Sequence, residues 1–155
     1  MTRNNPKERL SALDSAAYSL GRRQMSVKEL RDKLLSKGYE PEEIEQALER
    51  LEEIGALDDG VYGCMLARHY KLRGWGPGRI KEEMYKRGVP RMYWEEAIES
   101  AEGFSEGAYA ALVKKLSGRR DPDSLRKAQA FLMRRGFDRD DIHDAVKRLD
   151  SENDD

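Results

Sequence analysis

The chain predicts an all-α fold of three tandem three-helix repeats, and three observations lead there. First, the phrase Leu34-Leu35-Ser36-Lys37-Gly38-Tyr39 is echoed by Met84-Tyr85-Lys86-Arg87-Gly88-Val89 and again by Leu132-Met133-Arg134-Arg135-Gly136-Phe137, with glycines 50 and then 48 residues apart. Second, apolar side chains keep their offsets from that glycine: Leu34, Met84 and Leu132 four before it, Tyr39, Val89 and Phe137 one after, and Ile44, Trp94 and Ile142 six after. Third, apolar positions recur at three- and four-residue intervals, and no useful run of alternating β-branched residues occurs. A helical unit copied in tandem accounts for all three, with expected repeats at residues 8–57, 58–103 and 104–150.

In the first repeat a helix is expected from about Glu8 to Arg22, burying Leu10, Leu13, Ala17 and Leu20. Ser26, with Glu29 three residues on, is a capping-box pattern that starts a second helix with Val27, Leu30, Leu34 and Leu35 on one face. Gly38 suits the left-handed backbone of its stop. Pro41 opens a third helix carrying Ile44, Ala47, Leu48, Leu51 and Ile54, and Gly55 closes it.

In the second repeat, Asp58-Asp59 caps a helix whose inner stripe is Val61, Tyr62, Met65, Leu66 and Tyr70. The loop Arg73-Gly74-Trp75-Gly76-Pro77-Gly78 has three alternate glycines, but no strand precedes it and no Gly-Lys-Ser or Gly-Lys-Thr follows. It therefore predicts a turn around Trp75 rather than a nucleotide cradle. Pro77 opens a helix burying Ile80, Met84 and Tyr85, and Pro90 opens the next, with Tyr93, Trp94, Ala97 and Ile98.

The third repeat predicts a helix from about Ser105 to Leu116 with Tyr109, Leu112, Val113 and Leu116 inside, then a polar turn from Ser117 to Asp123. Pro122 lies where the eighth helix begins, with Leu125, Ala128, Phe131 and Leu132 facing inward until Gly136. Asp138 caps the ninth, which holds Ile142, Ala145, Val146 and Leu149, and residues Asp150 to Asp155 are expected to fray.

Each repeat of about 50 residues is too small to bury much core alone, so the repeats should lean on one another. Charged residues make up 38% of the 155 and mean hydropathy is −0.89, yet the apolar residues are strictly periodic, which fits thin helical layers rather than disorder. Cys64 stands alone, so no internal disulfide forms, and it lies on a predicted helix without a base at a nucleophile's spacing. With no long apolar run or apolar leader, a reduced, cytoplasmic, soluble protein is expected, with no membrane association.

The net charge of −1 hides segregation. From Asp59 to Arg91 eight Lys and Arg face three acids, a net of +5, and from Lys114 to Arg139 nine face three, a net of +6. The acids gather in Glu40 to Glu53, Glu95 to Glu102 and Asp140 to Asp155. Part of this is local, since acids at helix starts and bases at helix ends both favour the macrodipole. The remainder gives the second and third repeats a basic character suited to an anionic partner. His69 and His143 are far apart and lack companions at metal-ligand spacing, so no metal or other cofactor is expected, and no carboxylate pair reads as a catalytic acid and base.

The stretch Gly55-Ala56-Leu57-Asp58-Asp59, Tyr62, Ala67-Arg68, Gly74-Trp75-Gly76-Pro77, Arg79-Ile80 and Lys86-Arg87-Gly88 strongly resembles the RecX family of RecA regulators. The likeness continues upstream to Glu29-Leu30 and Leu34 and downstream to Phe131-Leu132, Arg135-Gly136-Phe137 and Asp141-Ile142, covering roughly residues 8 to 149. The resemblance implies an elongated, curved array of three modules that binds RecA filaments on DNA. It further implies damping of ATP hydrolysis, strand exchange and stimulated repressor cleavage, a role in recombination, DNA repair and the SOS response. Such a protein is a non-enzymatic inhibitor, expected to be a monomer. Many members are plainly basic and this chain is not, so its own DNA affinity is expected to be low outside a filament.

Two groups of cations are the candidate contacts to filament acids or to single- or double-stranded DNA: Arg68, Lys71, Arg73, Arg79, Lys81 and Arg87, then Lys114, Lys115, Arg119, Arg120, Arg126, Lys127, Arg134 and Arg135. Trp75 is a candidate anchor or stacking platform, with packing between modules as its other reading. Asp58, Asp59, Tyr62, Gly74, Gly76 and Gly88 match the family motif and are expected to be structural, as caps, turns and packing. The rival function is a stand-alone DNA-binding module, since three-helix units can set a helix in a major groove.

Overall fold

The computed structural model describes residues 9–154, and within them the chain forms α-helices and one 3-10 turn, with no strand. The first module comprises α1 (Ala12–Arg22), α2 (Val27–Ser36) and α3 (Pro41–Glu53). The second comprises α4 (Asp59–Leu72), α5 (Pro77–Lys86), the 3-10 turn Arg91–Tyr93 and α6 (Trp94–Ala101). The third comprises α7 (Phe104–Leu116), α8 (Pro122–Arg134) and α9 (Arg139–Asn153). Each has its own core, centred on Leu30, Leu34 and Leu48, on Tyr62, Ile80 and Met84, and on Leu112, Leu132 and Leu149. Phe104 packs against both the second and third cores.

The repeated glycine ends each second helix in the same way. Gly38, Gly88 and Gly136 have φ of +86°, +79° and +92°, a region where any side chain is strained. Their amides donate to Leu35, Tyr85 and Met133 carbonyls, and the next amides, of Tyr39, Val89 and Phe137, donate to Leu34, Met84 and Leu132. This paired 5→2 and 6→1 pattern is a Schellman stop, and the apolar residue after the glycine lands on the helix's own last inward side chain. The offset pattern in the sequence is the signature of that turn.

The same turns form the joints between modules. At the first joint the N-cap Ser26 hydroxyl donates to the Arg87 carbonyl, and Val27 N–H donates to Asp59 Oδ1 at 2.9 Å. At the second, Gly76 N–H donates to the Arg135 carbonyl at 2.7 Å and Gly78 N–H to the Gly136 carbonyl at 2.8 Å. The N-terminus of α2 therefore rests on the C-terminal turn of α5, and the N-terminus of α5 on that of α8. Opposite poles of the helix dipoles meet at both joints. At the free end of this row, the Lys37 carbonyl, equivalent to those of Arg87 and Arg135, accepts from the Arg9 guanidinium, which also lies 3.9 Å over the Tyr39 ring.

Several expectations about burial are corrected. Helix α1 begins at Ala12, with Ser11 accepting the Asp14 N–H as cap, and Glu8 lies outside the described residues. Its buried stripe is Ala12, Ser15, Ala16 and Ser19, whereas Leu10 precedes the helix at 56% exposure and Leu13 and Ala17 also face out. The helical period is as expected but its phase is set by small residues. The buried hydroxyls stay satisfied, Ser19 donating to the Ser15 carbonyl and Ser15 accepting from Lys37 Nζ at 3.0 Å. Leu35, Ile54, Val61, Met65, Tyr85 and Val113 border the inward stripes and are exposed rather than buried. Pro90 precedes the 3-10 turn, not α6 itself. The stretch expected to fray is helical as far as Asn153.

Candidate nucleic-acid and partner interface

Four cations from two modules gather around one groove. Arg73 is the C-cap of α4, Lys114 and Lys115 occupy the last turn of α7, and Arg135 is the C-cap of α8. Each sits at a helix C-terminus, where the partial negative charge of free carbonyls offsets the mutual repulsion of the group. With Gly74, Ala111, Ser117 and Phe131 they line a depression of about 470 Å³. Phe131 is flanked by Lys115 Nζ, 4.7 Å from the ring centroid, and Arg135 Cζ at 5.1 Å. Among the described residues none of the four has a carboxylate within 4 Å. A second depression of about 350 Å³, holding Arg119, Ser124 and Lys127, shares Lys115 and Ser117 with the first. Together they make a cationic track with one aromatic platform, a combination suited to an extended polyanion.

The other candidate cations are placed differently. The Arg87 guanidinium is half-buried, donating from Nε to Glu83 at 2.8 Å, from Nη1 to the Tyr62 hydroxyl at 3.1 Å and from Nη2 to the Tyr70 hydroxyl at 2.8 Å. Burial alone would lower its pKa, but Glu83 and the two tyrosines outweigh it and hold the charge firmly. Lys71 Nζ donates to the Ala101 carbonyl at 3.1 Å, tying α4 to the end of α6. Arg126 and Lys127 both pair with Asp123. Arg68 donates to the Cys64 carbonyl on its own helix, Arg120 to the Arg119 carbonyl, and Arg134 is exposed in the last turn of α8. Lys81 is half-buried beside a separate cleft with Tyr85 and Trp94.

Trp75 is half-buried within a stack, its ring 4.0 Å from Tyr70 at 15° and its other neighbour the Arg79 guanidinium at 3.9 Å. Gly74 has φ +84° and ends α4, with its N–H on the Lys71 carbonyl and Trp75 N–H on Tyr70, so the ring is swung back over α4. Asp58 caps α4 by accepting the Val61 N–H at 3.1 Å, Tyr62 is buried, and Asp59 bridges to the first module. Burial pushes the Asp59 carboxyl above the usual range, although Val27 N–H opposes it. Nearby Glu29 goes the other way: burial raises it, but Arg23, the Ser26 N–H and Tyr62 together bring it below the ordinary value. Phe131 and Ser117 were not sequence candidates. The signal available for Phe131 was its four-residue spacing to Arg135, which places both on one helix face.

Among the described residues no group of three His, Cys, Asp or Glu side chains stands together to hold a metal ion, and no helix is long and apolar enough to cross a membrane.

Residues 12–51 match the family model described as the first three-helix domain of RecX, and residues 58–98 match that of its second three-helix domain. The chain belongs to the RecX family. It is 35% identical to the regulatory protein RecX of Halorhodospira halophila, over 90% of this chain and 88% of that protein. To the regulatory protein RecX of Pelodictyon phaeoclathratiforme it is 36% identical, over 96% of this chain and 93% of the other. A crystal structure of RecX from Lactobacillus salivarius superposes with a TM-score of 0.84 at 22% identity, covering 90% of this chain and 94% of that one. The two matched domains coincide with the first two cores, and the structural likeness carries the same helical architecture through most of the chain.

Proposed function

We propose that this chain regulates RecA by binding RecA nucleoprotein filaments in the cytoplasm as a monomer, restraining ATP hydrolysis, strand exchange and the coprotease activity without chemistry of its own. The observation that carries the proposal is the match to regulatory proteins named RecX over nine-tenths of the chain. Three modules in series, each about 20 Å across, give a reach of about 60 Å, enough to touch several neighbours along a filament. The cationic track supports a contact to DNA or acidic protein within that complex. The test is to add the purified protein at saturation to RecA on single-stranded DNA. DNA-dependent ATPase and strand exchange are expected to fall, and unchanged rates of both would end the proposal.

A stand-alone DNA-binding role is the second reading, favoured by the four cations of the groove, which have no carboxylate within 4 Å among the described residues. Contact with four phosphates predicts a log–log salt slope of about −3.6 on duplex and about −2.8 on single strands. Equal affinity for naked DNA and for preassembled filaments would favour this reading over the first.

A further inference from the structure

A second surface lies on the middle module and shares no residue with the Arg73–Arg135 groove. Tyr85, Val89, Pro90 and Trp94 wall a depression of about 560 Å³ that reaches Lys28 of the first module. It runs through Tyr85, Lys86 and Trp94 into a smaller cleft of about 370 Å³ whose walls are almost entirely carbon. Tyr85 is 74% exposed, so apolar area stands in water here that the core of the module does not use. Trp94 is a fixed wall, its indole N–H held by the Val89 carbonyl at 2.9 Å.

The rim is cationic. Lys81, Lys86 and Arg91 have no carboxylate within 4 Å among the described residues, Lys28 is paired with Asp32, and Glu82 is the one acid in the lining. A nucleobase inserted edge-on into the smaller cleft would leave its ring nitrogens and carbonyls facing carbon walls with nothing to bond, which is costly. An aliphatic or aromatic side chain loses nothing by entering, and carboxylates beside it in sequence reach the rim.

We infer that the Tyr85–Trp94 cleft is a docking site for an acidic segment of a protein partner, which inserts one bulky apolar side chain between Tyr85 and Trp94 and sets flanking carboxylates on Lys81, Lys86 and Arg91. The apolar anchor supplies the buried contact and the charges supply orientation and encounter rate. The inference stands apart from the nucleic-acid groove and holds whether or not that groove binds DNA.

Random peptides displayed on phage and selected on the full chain test it. The enriched sequences are expected to combine a Leu, Phe or Trp with at least two Asp or Glu close by. A fluorescein-labelled peptide of the consensus, followed by anisotropy, is expected to lose roughly tenfold in affinity on the Lys86→Glu/Arg91→Glu protein and about fivefold on Tyr85→Ser. Serine in place of its apolar residue should cost about as much as Tyr85→Ser, and Arg73→Glu/Arg135→Glu should leave binding within about twofold. Lys86, Arg91 and Tyr85 are exposed, so the folded state, checked by circular dichroism, is expected to survive each change. Enriched peptides without carboxylates would overturn the inference, as would equal binding to the Lys86→Glu/Arg91→Glu protein. Displacement of the peptide by a short oligothymidylate on the Arg73→Glu/Arg135→Glu protein would put nucleic acid in the cleft instead and overturn it too.

Discussion

Gly76→Ala isolates the joint between the second and third modules. Gly76 has φ −88° and ψ 172°, extended backbone that alanine adopts freely, so no conformational penalty confuses the result. Its difficulty is space: an added Cβ would lie 2.3 Å from Phe137 N and 2.4 Å from the Gly136 carbonyl carbon, backbone atoms that cannot swing aside. The joint must open, and the bonds from Gly76 N–H to Arg135 and Gly78 N–H to Gly136 go with it. Two such bonds contribute about 2 kcal/mol, and alanine is the poorer N-cap by up to about 1 kcal/mol, giving a total near 3 kcal/mol. Urea denaturation of the full chain measures the total, and hydrogen exchange at the Gly78 amide reports the joint itself. Gly76→Ser recovers only the capping share, because it keeps the Cβ. Gly21→Ala, with nothing within 4 Å of the new carbon in α1, should stabilise by about 0.5–1 kcal/mol. A Gly76→Ala protein with an unchanged urea midpoint and a still-protected Gly78 amide would refute the close approach as the basis of the joint.

Arg87→Ala removes the shared donor to Glu83, Tyr62 and Tyr70 and should cost about 2–3 kcal/mol in urea unfolding, with Arg87→Lys recovering only part because one ammonium cannot span the same three acceptors. Glu29 has a folded pKa below its unfolded value, so its stabilisation is full above the unfolded pKa of about 4.3 and is lost as pH falls through the folded one. Glu29→Gln should therefore flatten the acid limb of a stability profile measured from neutral pH downward. Asp59 has a raised folded pKa and contributes the opposite sign: ionised, it costs stability above that value, and the cost fades as pH falls to the unfolded pKa. Asp59→Asn keeps an acceptor for the Val27 N–H and should be the more stable protein at pH 7, with the advantage shrinking on acidification; an advantage that grows instead would show the bond, not burial, to dominate.

The helices were legible in the sequence because their punctuation is chemical and local. Ser26 with Glu29, Pro41, Pro77 and Pro122 at first turns, and the glycines of the stops all act within a few residues of themselves. The phase of α1 was not legible, because its stripe of Ala and Ser next to Leu10 and Leu13 inverts the usual size preference, and only the closeness of α3 decides it. The groove was half legible. Arg73, Lys114, Lys115 and Arg135 were candidates on charge alone, but so were Arg87 and Lys71, whose partners at Glu83, Tyr62, Tyr70 and Ala101 lie up to 30 residues away. Whether a cation is free or spent is a long-range fact. The role of Gly76 was hidden for the same reason, since the backbone it makes room for is 60 residues further along.

The joint and the groove are one piece of structure seen from two sides. The Arg135 carbonyl receives Gly76 N–H while its guanidinium stands over Phe131 in the groove, and Arg73 reaches the same groove from the module that carries Gly76. Opening the joint therefore separates Arg73 from Lys114, Lys115 and Arg135 without altering any charge. Charge reversal at Arg73 and joint opening by Gly76→Ala should then look alike in one measurement and unlike in another. Both should lower the magnitude of the salt slope for DNA by about 1, because one phosphate contact is lost. Only Gly76→Ala should also lower the urea midpoint and expose the Gly78 amide to exchange, because the Arg73 side chain is exposed and takes no part in the joint bonds. A Gly76→Ala protein that lost protection at the Gly78 amide yet kept the full salt slope would separate the two features, and would mean that Arg73 binds on its own account rather than as part of a surface assembled by the repeat.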